Sequence, residues 1–574
     1  MKKYTIVCAA LITMMAACKK DFLEQKTLTT LTEQTVFADS LRASNFLTAI
    51  YADANLSWGL DRTSGGGRMG VYAATDEADP DDNPNYVLIR EIVGGLNSSN
   101  VDKTLWNTVY ARVRSVNLLL KNKDSIPVQA AIKARWIGEV RFLRAWYYFA
   151  LMKHFGGIPI VKDAIYTDAD EMDIPRSTYE ETLSYILGEC DAAAAVLPAA
   201  YPETQDYGRA TKGAVLALKS RALLYAASPL YNGGSITQDP QIAKLVSFPT
   251  ANNERWKAAA EAAEAVIALN QYSLYTAAGT TPGWGFYEVF TKRVNNEYIF
   301  AYMRDQNKYV ENLFDMPSRG GGGPKASPYQ ELVDAFGMRN GLPITDPVSG
   351  YDPNNPYVNR DPRFYYTIIH NGATRNRNGF AGAQPVFTYV GAPLDGIGQS
   401  KATTSGYYAY KMIDKNALTT GGSNSFRCDP LMRYAEIILN AAEATNEYFG
   451  PTARVYDLLK MLRIRAEITP GAGSSYGLKA GMTKDEMRTV IQRERQVELA
   501  FEEHRYWDVR RWKIAPQTSN KEMHGMQVTM QPNGSFTYNV ITVRNHVFTP
   551  AMYLWPIPQS EITKSPSLKQ NPGY

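Results

Sequence analysis

The sequence predicts a mostly α-helical protein in which tetratricopeptide-like helical pairs cradle an irregular, loop-rich lobe. Apolar side chains recur every three or four residues through most of the chain, as on one face of a helix. The stretch 256–269 is rich in alanine, whose small side chain permits close helix approach. Residues 276–430 differ, because runs such as Gly320–Gly323 and many Asn, Thr and Tyr residues interrupt regular structure.

The clearest helical stripe begins at Trp136 and ends at Phe155, with apolar residues spaced by three or four positions. Gly156 and Gly157 predict where this helix stops. Trp106 opens a similar stripe, so both tryptophans are expected in the core. Other helices are predicted near 41–55 and at 179–197, 211–227, 256–269, 432–449, 452–467 and 484–505.

The N-terminus predicts a lipoprotein signal peptide over residues 1–17. Lys2 and Lys3 precede a short apolar run that is too short to span a bilayer, and small residues lead directly into Cys18. We expect Cys18 to carry the lipid, including palmitate, and residues 18–40 to form the anchor and tether. Lys19 in place of an acidic residue favours the outer membrane. A plain secretory signal followed by a chance cysteine is the alternative.

Composition narrows the classes of function. Lys and Arg total 61 against 57 Asp and Glu, giving a net charge of +4, so no basic face for nucleic acid is predicted. The 37 Tyr and 9 Trp suit sugar or peptide binding, although most of the tyrosines are expected in packing. Cys190 and Cys428 lack metal-ligand spacing and are expected as buried small hydrophobes, with a disulfide left open. No metal or other cofactor is predicted.

Five motifs follow one another along the chain. They are Gly138–Phe149 with Phe155–Pro159, Gly208–Ala214, Arg433–Leu439 with Ala442–Ala444, Glu494–Glu502 with Arg505–Trp512, and Pro556–Pro558 with Gln570–Tyr574. In this order, after a lipoprotein signal, they resemble the SusD/RagB family of outer-membrane lipoproteins.

That resemblance implies a nutrient-binding protein rather than an enzyme. Family members lie on the outer membrane as the lid of a SusC-like TonB-dependent transporter, where they capture glycans or other nutrients and pass them inward. Two other classes remain open: a surface glycosidase, for which Glu494 and Glu498 would be the tempting carboxylates, and a helical-repeat scaffold for outer-membrane assembly. We expect these two glutamates to pair with nearby charges and support the architecture instead.

The candidate ligand residues follow from the chemistry of sugars, since an aromatic ring covers the apolar face and polar side chains meet the hydroxyls. A long loop at 58–100, within an N-terminal helical part over 41–275, supplies the first set: Trp58, Arg68, Tyr72, Asp76, Asp79, Asn83 and Tyr86. The lobe at 276–430 supplies Trp284, Tyr287 and Tyr309, and helical pairs with a family-type tail follow at 431–574. For each aromatic residue, packing in the core is the alternative.

Overall fold

The computed structural model describes residues 32–56, 61–62, 68–80, 87–167, 169–201, 204–279, 281–321, 326–377, 379–418 and 424–574. Its helices confirm the mostly α-helical prediction. They are α1 (Glu33–Phe37), α2 (Ser40–Tyr51), α3 (Val87–Ile92), α4 (Thr104–Asn122), α5 (Ala130–Phe155), α6 (Tyr179–Ala194), α7 (Lys212–Ala227), α8 (Pro240–Val246), α9 (Glu254–Ile267), α10 (Trp284–Thr291), α11 (Tyr309–Phe314), α12 (Gln330–Ala335), α13 (Tyr434–Phe449), α14 (Ala453–Arg465), α15 (Lys484–Glu498), α16 (Arg505–Arg511), α17 (Ala515–Thr518) and α18 (Gln559–Lys564). Within these ranges, no helix is both long and apolar enough to cross a membrane.

The long helices pack side by side in one row. Helix α4 lies against α5, α5 against α6, α6 against α7, α7 against α9, and α9 against α13, which also contacts α14 and α15. The alanines of α9 face α7 and α13, and Ala259, Ala260 and Ala444 join Trp256 in a small separate cluster. Helix α13 of the C-terminal part therefore packs directly against α9 of the N-terminal helical part.

Helix α5 forms the centre of the core. From Phe142 onward almost every side chain is buried, because neighbouring elements cover it on all sides. Trp106 and Trp136 are 5% and 6% exposed, which confirms their assignment to the core. The helix ends at Gly156, whose φ of 79° lies in the left-handed region that favours glycine.

Among the described residues the strands pair in twos, and all but β11 and β12 are short. They are β1 (Asp61–Arg62), β2 (Arg68–Met69), β3 (Ala78–Pro80), β4 (Tyr298–Met303), β5 (Ala326–Pro328), β6 (Ile368–Ile369), β7 (Thr374–Asn376), β8 (Ala383–Pro385), β9 (Tyr408–Ala409), β10 (Cys428–Arg433), β11 (Glu522–Met530) and β12 (Phe536–Asn545). All six pairs are antiparallel, namely β1–β2, β3–β5, β4–β10, β6–β9, β7–β8 and β11–β12. Pairing of β4 with β10 fastens the beginning of the lobe to its end, directly before α13.

The C-terminal tail returns to the end of α5. The Asn571 side-chain amide donates to the carbonyls of Phe155 at 3.1 Å and Trp555 at 2.7 Å. The Trp555 N–H donates to the His154 carbonyl at 2.7 Å. Two motifs that lie about 400 residues apart in sequence are therefore one structural unit, which satisfies carbonyls left free at the helix end.

Two predicted segments were wrong. The helix predicted over 484–505 ends at Glu498, and α16 begins only at Arg505, because Phe501 and Glu503 have φ values of 60° and 67°. The loop predicted over 58–100 contains α3 and β3 in its described part. Cys190 and Cys428 are both free, so the disulfide left open is not formed; Cys190 is buried as expected, whereas Cys428 is only half-buried.

Candidate functional site

The predicted loop set divides into residues that the structure describes and residues that it does not. Trp58, Asn83 and Tyr86 lie outside the described residues. Arg68 belongs to β2, but only its backbone is described. Tyr72, Asp76 and Asp79 are fully described, and all three are buried.

Tyr72 packs in the interior. Its ring centroid lies 5.7 Å from that of Phe314 and 5.4 Å from that of Phe501, and the side chain is 4% exposed. Burial raises the pKa of its phenol well above the ordinary value. This placement favours the packing interpretation of Tyr72.

The two acidic candidates already have protein partners. Asp76 accepts two hydrogen bonds from the Arg505 guanidinium, at 2.8 and 2.6 Å. Asp79 accepts from Tyr329 at 2.8 Å, from Thr404 at 2.6 Å and from Arg544 at 2.6 Å. The two carboxylates therefore hold this segment against the lobe and the C-terminal part of the chain.

In the lobe, Tyr309 lies apart from Trp284 and Tyr287. It begins α11, and its half-buried ring packs under the Arg304 guanidinium at 4.9 Å. Arg304 in turn pairs with Asp429 at 2.6 Å. Tyr309 is thus associated with the β4–β10 pair, near Tyr72.

Trp284 and Tyr287 belong to a second cluster that also includes Tyr366 and Tyr410. The Trp284 ring lies 5.0 Å from that of Tyr287 and 6.2 Å from that of Tyr366. Tyr287 lies 5.5 Å from Tyr366 and stacks on Tyr410 at 5.7 Å, with 16° between the ring planes. We call these four rings the aromatic platform. Tyr287 and Tyr410 are its buried base, whereas Trp284 and Tyr366 are only half-buried and reach solvent.

Glycines allow the two outer rings to meet. Gly283 precedes α10 with a φ of 85°, and a Cβ there would lie 3.0 Å from Pro362 and 3.1 Å from the Tyr366 ring. A Cβ on Gly279 would lie 2.3 Å from Trp284 side-chain atoms. Any other residue at these positions would displace Trp284 or Tyr366, so the chain is locally shaped around the platform.

Polar groups surround the platform. The exposed Lys415 ammonium lies 4.8 Å from the Trp284 ring, and the Lys415 N–H donates to the Tyr287 hydroxyl at 3.0 Å. The Arg375 guanidinium lies 3.8 Å from the Tyr410 ring. Thr281 and Tyr366 share a hydrogen bond of 2.6 Å between their hydroxyls. Burial raises the pKa of both Tyr287 and Tyr366, so their phenols are neutral around pH 7.

The sequence identified two of these four rings. Tyr366 and Tyr410 were missed because they lie in segments without helical periodicity, just before β6 and just after β9. The pairing of β6 with β9 brings them together, and the Tyr410 N–H donates to the Thr367 carbonyl at 2.8 Å. The only signal in the sequence was the richness of the lobe in tyrosine.

The charged C-terminal motif forms a separate, fully enclosed structure. Glu498 pairs with Arg433 at 2.8 Å, with Arg363 at 3.0 Å, and with Arg465. The linked ion pairs, which we call the buried ion network, join five cations to five carboxylates: Arg363, Lys411, Arg433, Arg463 and Arg465 with Glu297, Asp361, Glu494, Glu498 and Glu502. Glu494 and Glu498 are paired as expected, but not with the charges that follow them in sequence. Their partners come from α14, β10 and the lobe, whereas Arg505 pairs with Asp76 and Arg511 pairs with Glu443 and Asp508.

This environment is unsuited to a general acid. Burial alone would raise the pKa of Glu498, but Arg465, Arg433 and Arg363 outweigh it and hold the pKa well below its usual range. Arg363 and Arg463 likewise lower the pKa of Glu494. A glycosidase acid needs a raised pKa and access to substrate, whereas both carboxylates here are buried and ionised. Among the described residues, no cluster of three or more His, Cys, Asp or Glu side chains could hold a metal ion.

Comparison with known proteins gives a consistent result. The family model described as SusD family matches residues 287–574, and one described as "Starch-binding associating with outer membrane" matches residues 79–224. SusD-like protein P2 of Formosa agariphila is 24% identical over 596 residues, covering 100% of both chains.

Solved structures agree over nearly the whole chain. A SusD-like protein from Bacteroides fragilis superposes with a TM-score of 0.75 at 26% identity, covering 96% of this chain and 99% of that one. A SusD-like carbohydrate-binding protein from the same species gives a TM-score of 0.72 at 23% identity, with coverage of 93% and 100%. With its helical row, its lobe and its five motifs, this chain belongs to the SusD family.

Proposed function

We propose that this chain captures a glycan at the cell surface by non-covalent binding and passes it to a SusC-like TonB-dependent transporter. The observation that carries the proposal is the aromatic platform, where two solvent-reaching rings rest on two buried ones. The match of residues 79–224 to a family model described as "Starch-binding associating with outer membrane" supports the same ligand class.

The platform suits a sugar because a pyranose has an apolar face, which aromatic rings can cover, and hydroxyl groups, which polar side chains can bond. Trp284 and Tyr366 offer ring surface for the apolar face, and the buried stack of Tyr287 on Tyr410 fixes their positions. The Thr281 hydroxyl and the Lys415 ammonium at the rim can bond hydroxyl groups. Because the rings are already held in place, little side-chain entropy is lost on binding.

A surface glycosidase is the rival class. The glutamates that suggested hydrolysis are enclosed in the buried ion network, so they do not support it. The two classes differ in a simple measurement. Retardation of the protein in gels containing a panel of soluble polysaccharides should identify a retained glycan, and a reducing-end assay on the same glycan should stay at background. Release of reducing ends would support the glycosidase. If no glycan of the panel retained the protein, the proposal that its ligand is a glycan would be contradicted.

The lipid anchor is part of the proposal. Cys18 lies outside the described residues, and its assignment rests on the signal pattern in the sequence. Cys18→Ala should abolish metabolic palmitate labelling and leave an unprocessed precursor, whereas Cys8→Ala, within the signal, should be labelled normally. Persistent labelling of the Cys18 variant would reject the anchor without affecting the ligand proposal.

Handover requires a physical complex. If the chain closes a transporter barrel, affinity purification from native outer membranes should recover a TonB-dependent transporter with it. Trp284→Ala should recover the same complex, because the platform binds ligand and not the transporter. Recovery of outer-membrane assembly factors instead would favour a helical-repeat scaffold.

A further inference from the structure

A groove follows one face of α4, on the helical side of the molecule. It is lined by residues three or four positions apart along the helix, namely Trp106, Tyr110, Arg114, Asn117 and Lys121. Residues 159–167 form the opposite wall. The groove consists of two cavities of about 460 and 640 Å³, and Arg114 and Thr167 line both of them, so the two are continuous.

One end of the groove is apolar. Trp106 and Tyr110 form its floor with ring centroids 5.2 Å apart, and the Tyr110 hydroxyl donates to the Pro159 carbonyl at 2.9 Å. Leu568 and Met172 complete this end, and Met172 is 44% exposed. Its volume and lining are those of a site for one or two apolar side chains. The exposed Arg114 and Lys564 lie at its rim, together with Glu561, which pairs with Lys564 at 3.3 Å.

The other end of the groove lies where the described chain begins. Glu33, the first residue of α1, lines the 640 Å³ cavity and accepts from Asn122 at 2.6 Å and Lys121 at 2.9 Å. The chain that precedes Glu33 therefore joins the body at this end of the groove.

The preceding residues have a composition that matches the groove. Between Cys18 and Leu31 the chain is mostly polar, and Phe22 is its only aromatic residue. Phe22 and Leu23 are adjacent and lie between Asp21 and Glu24, with Lys19, Lys20 and Lys26 further out. Phe22–Leu23 is thus an apolar pair of a size that the apolar end of the groove can hold.

The distances agree as well. Fifteen residues of helix separate Trp106 from Lys121, which is about 22 Å. Nine residues separate Leu23 from Thr32, and an extended chain of that length spans up to about 30 Å. The segment can therefore reach the apolar end of the groove from its point of attachment.

We propose that Phe22 and Leu23 of the chain's own N-terminal segment occupy the apolar end of the α4 groove. Seating there would shorten the tether between the lipid and the body and hold the helical side close to the membrane. The proposal does not depend on glycan binding or on lipidation of Cys18; it requires only that residues 19–31 remain in the mature protein.

The test uses the mature chain with Cys18→Ala and a reporter thiol in the groove, Met172→Cys. Seating of the segment covers the thiol, so replacing both Phe22 and Leu23 by Asp should speed maleimide labelling by about tenfold, given what burial of one large apolar side chain contributes. A matched control, Thr29→Asp with Thr30→Asp, adds the same charge and should label slowly. Val348→Cys, at a position that is 77% exposed and outside the groove, should label at one rate in all three backgrounds.

A cross-link identifies the occupant. Leu23→Cys combined with Met172→Cys should form a disulfide within one chain under mild oxidation, and Leu23→Cys with Val348→Cys should not. A disulfide-linked dimer would assign the groove to the segment of a second copy and overturn the proposal. Equal labelling rates with and without Phe22 and Leu23 would also overturn it, as would protection of the thiol only when a transporter or a small apolar molecule is added.

Discussion

The buried ion network and the aromatic platform differ in whether their side chains can reach a ligand. Both contain residues that suggested a function in the sequence. In the network, ten charged residues are sealed in the interior and neutralise one another. On the platform, two of four rings remain half-exposed above a buried pair. Glu494 and Glu498, whose spacing suggested a catalytic pair, have a structural role. Tyr366 and Tyr410, which follow no recognisable sequence pattern, help to form the surface that suits a ligand.

This difference separates contacts that hold the whole fold together from contacts that depend on local turns. The network joins β10, α14 and α15 to the lobe, so it fixes the relative position of the two parts of the fold. The platform depends on local turns at Gly279 and Gly283 and on the short β6–β9 pair. Loops of this kind can change without disturbing the scaffold, which is why family membership does not determine the ligand.

The largest effect is expected in the network. Glu498→Ala leaves three buried arginines without their shared partner and should lower the free energy of unfolding by about 3–5 kcal/mol. The matched control is Glu264→Ala, which removes the exposed pair with Arg454 and should cost less than about 1 kcal/mol. Both are measured by urea unfolding. Similar losses for the two variants would mean that the network contributes no more than a surface pair.

A smaller loss of stability is expected at Tyr72. Tyr72→Ala empties the space between Phe314 and Phe501 and should cost about 3 kcal/mol. Glycan affinity, measured by calorimetry below the melting temperature, should stay unchanged. A variant with unchanged melting and weakened binding would return Tyr72 to the ligand face, as the sequence alone suggested.

The network should also make stability depend on pH. Because the folded-state pKa of Glu498 is depressed, its contribution is fully present above the unfolded pKa of about 4.3 and is lost as pH falls towards the folded value. The difference in unfolding free energy between the protein and Glu498→Gln should therefore be greatest at pH 6–7 and shrink at about pH 3. A difference that stays constant over this range would mean that Glu498 is not ionised in the folded state.

The sequence predicted what depends on local patterns. The α5 stripe, the glycine stop at Gly156 and the structural role of Glu498 follow from spacing within one helix and its end. The partners of Glu498 did not follow, because Arg433 and Arg363 lie 65 and 135 residues away. The same holds for Tyr366 and Tyr410, which only strand pairing brings to Trp284. The break after Glu498 was missed because its cause, positive φ at Phe501 and Glu503, occurs at residues that seldom adopt it.

The most direct test is Trp284→Ala, measured for binding and for stability on the same preparation. With a glycan that the unmodified protein retains, calorimetry should show an affinity loss of about 1–3 kcal/mol, the contribution of one stacking ring. Thermal melting should change little, because Trp284 is half-buried and lies at the outer side of the cluster. Unchanged affinity for that glycan would contradict the assignment of the platform as the binding site.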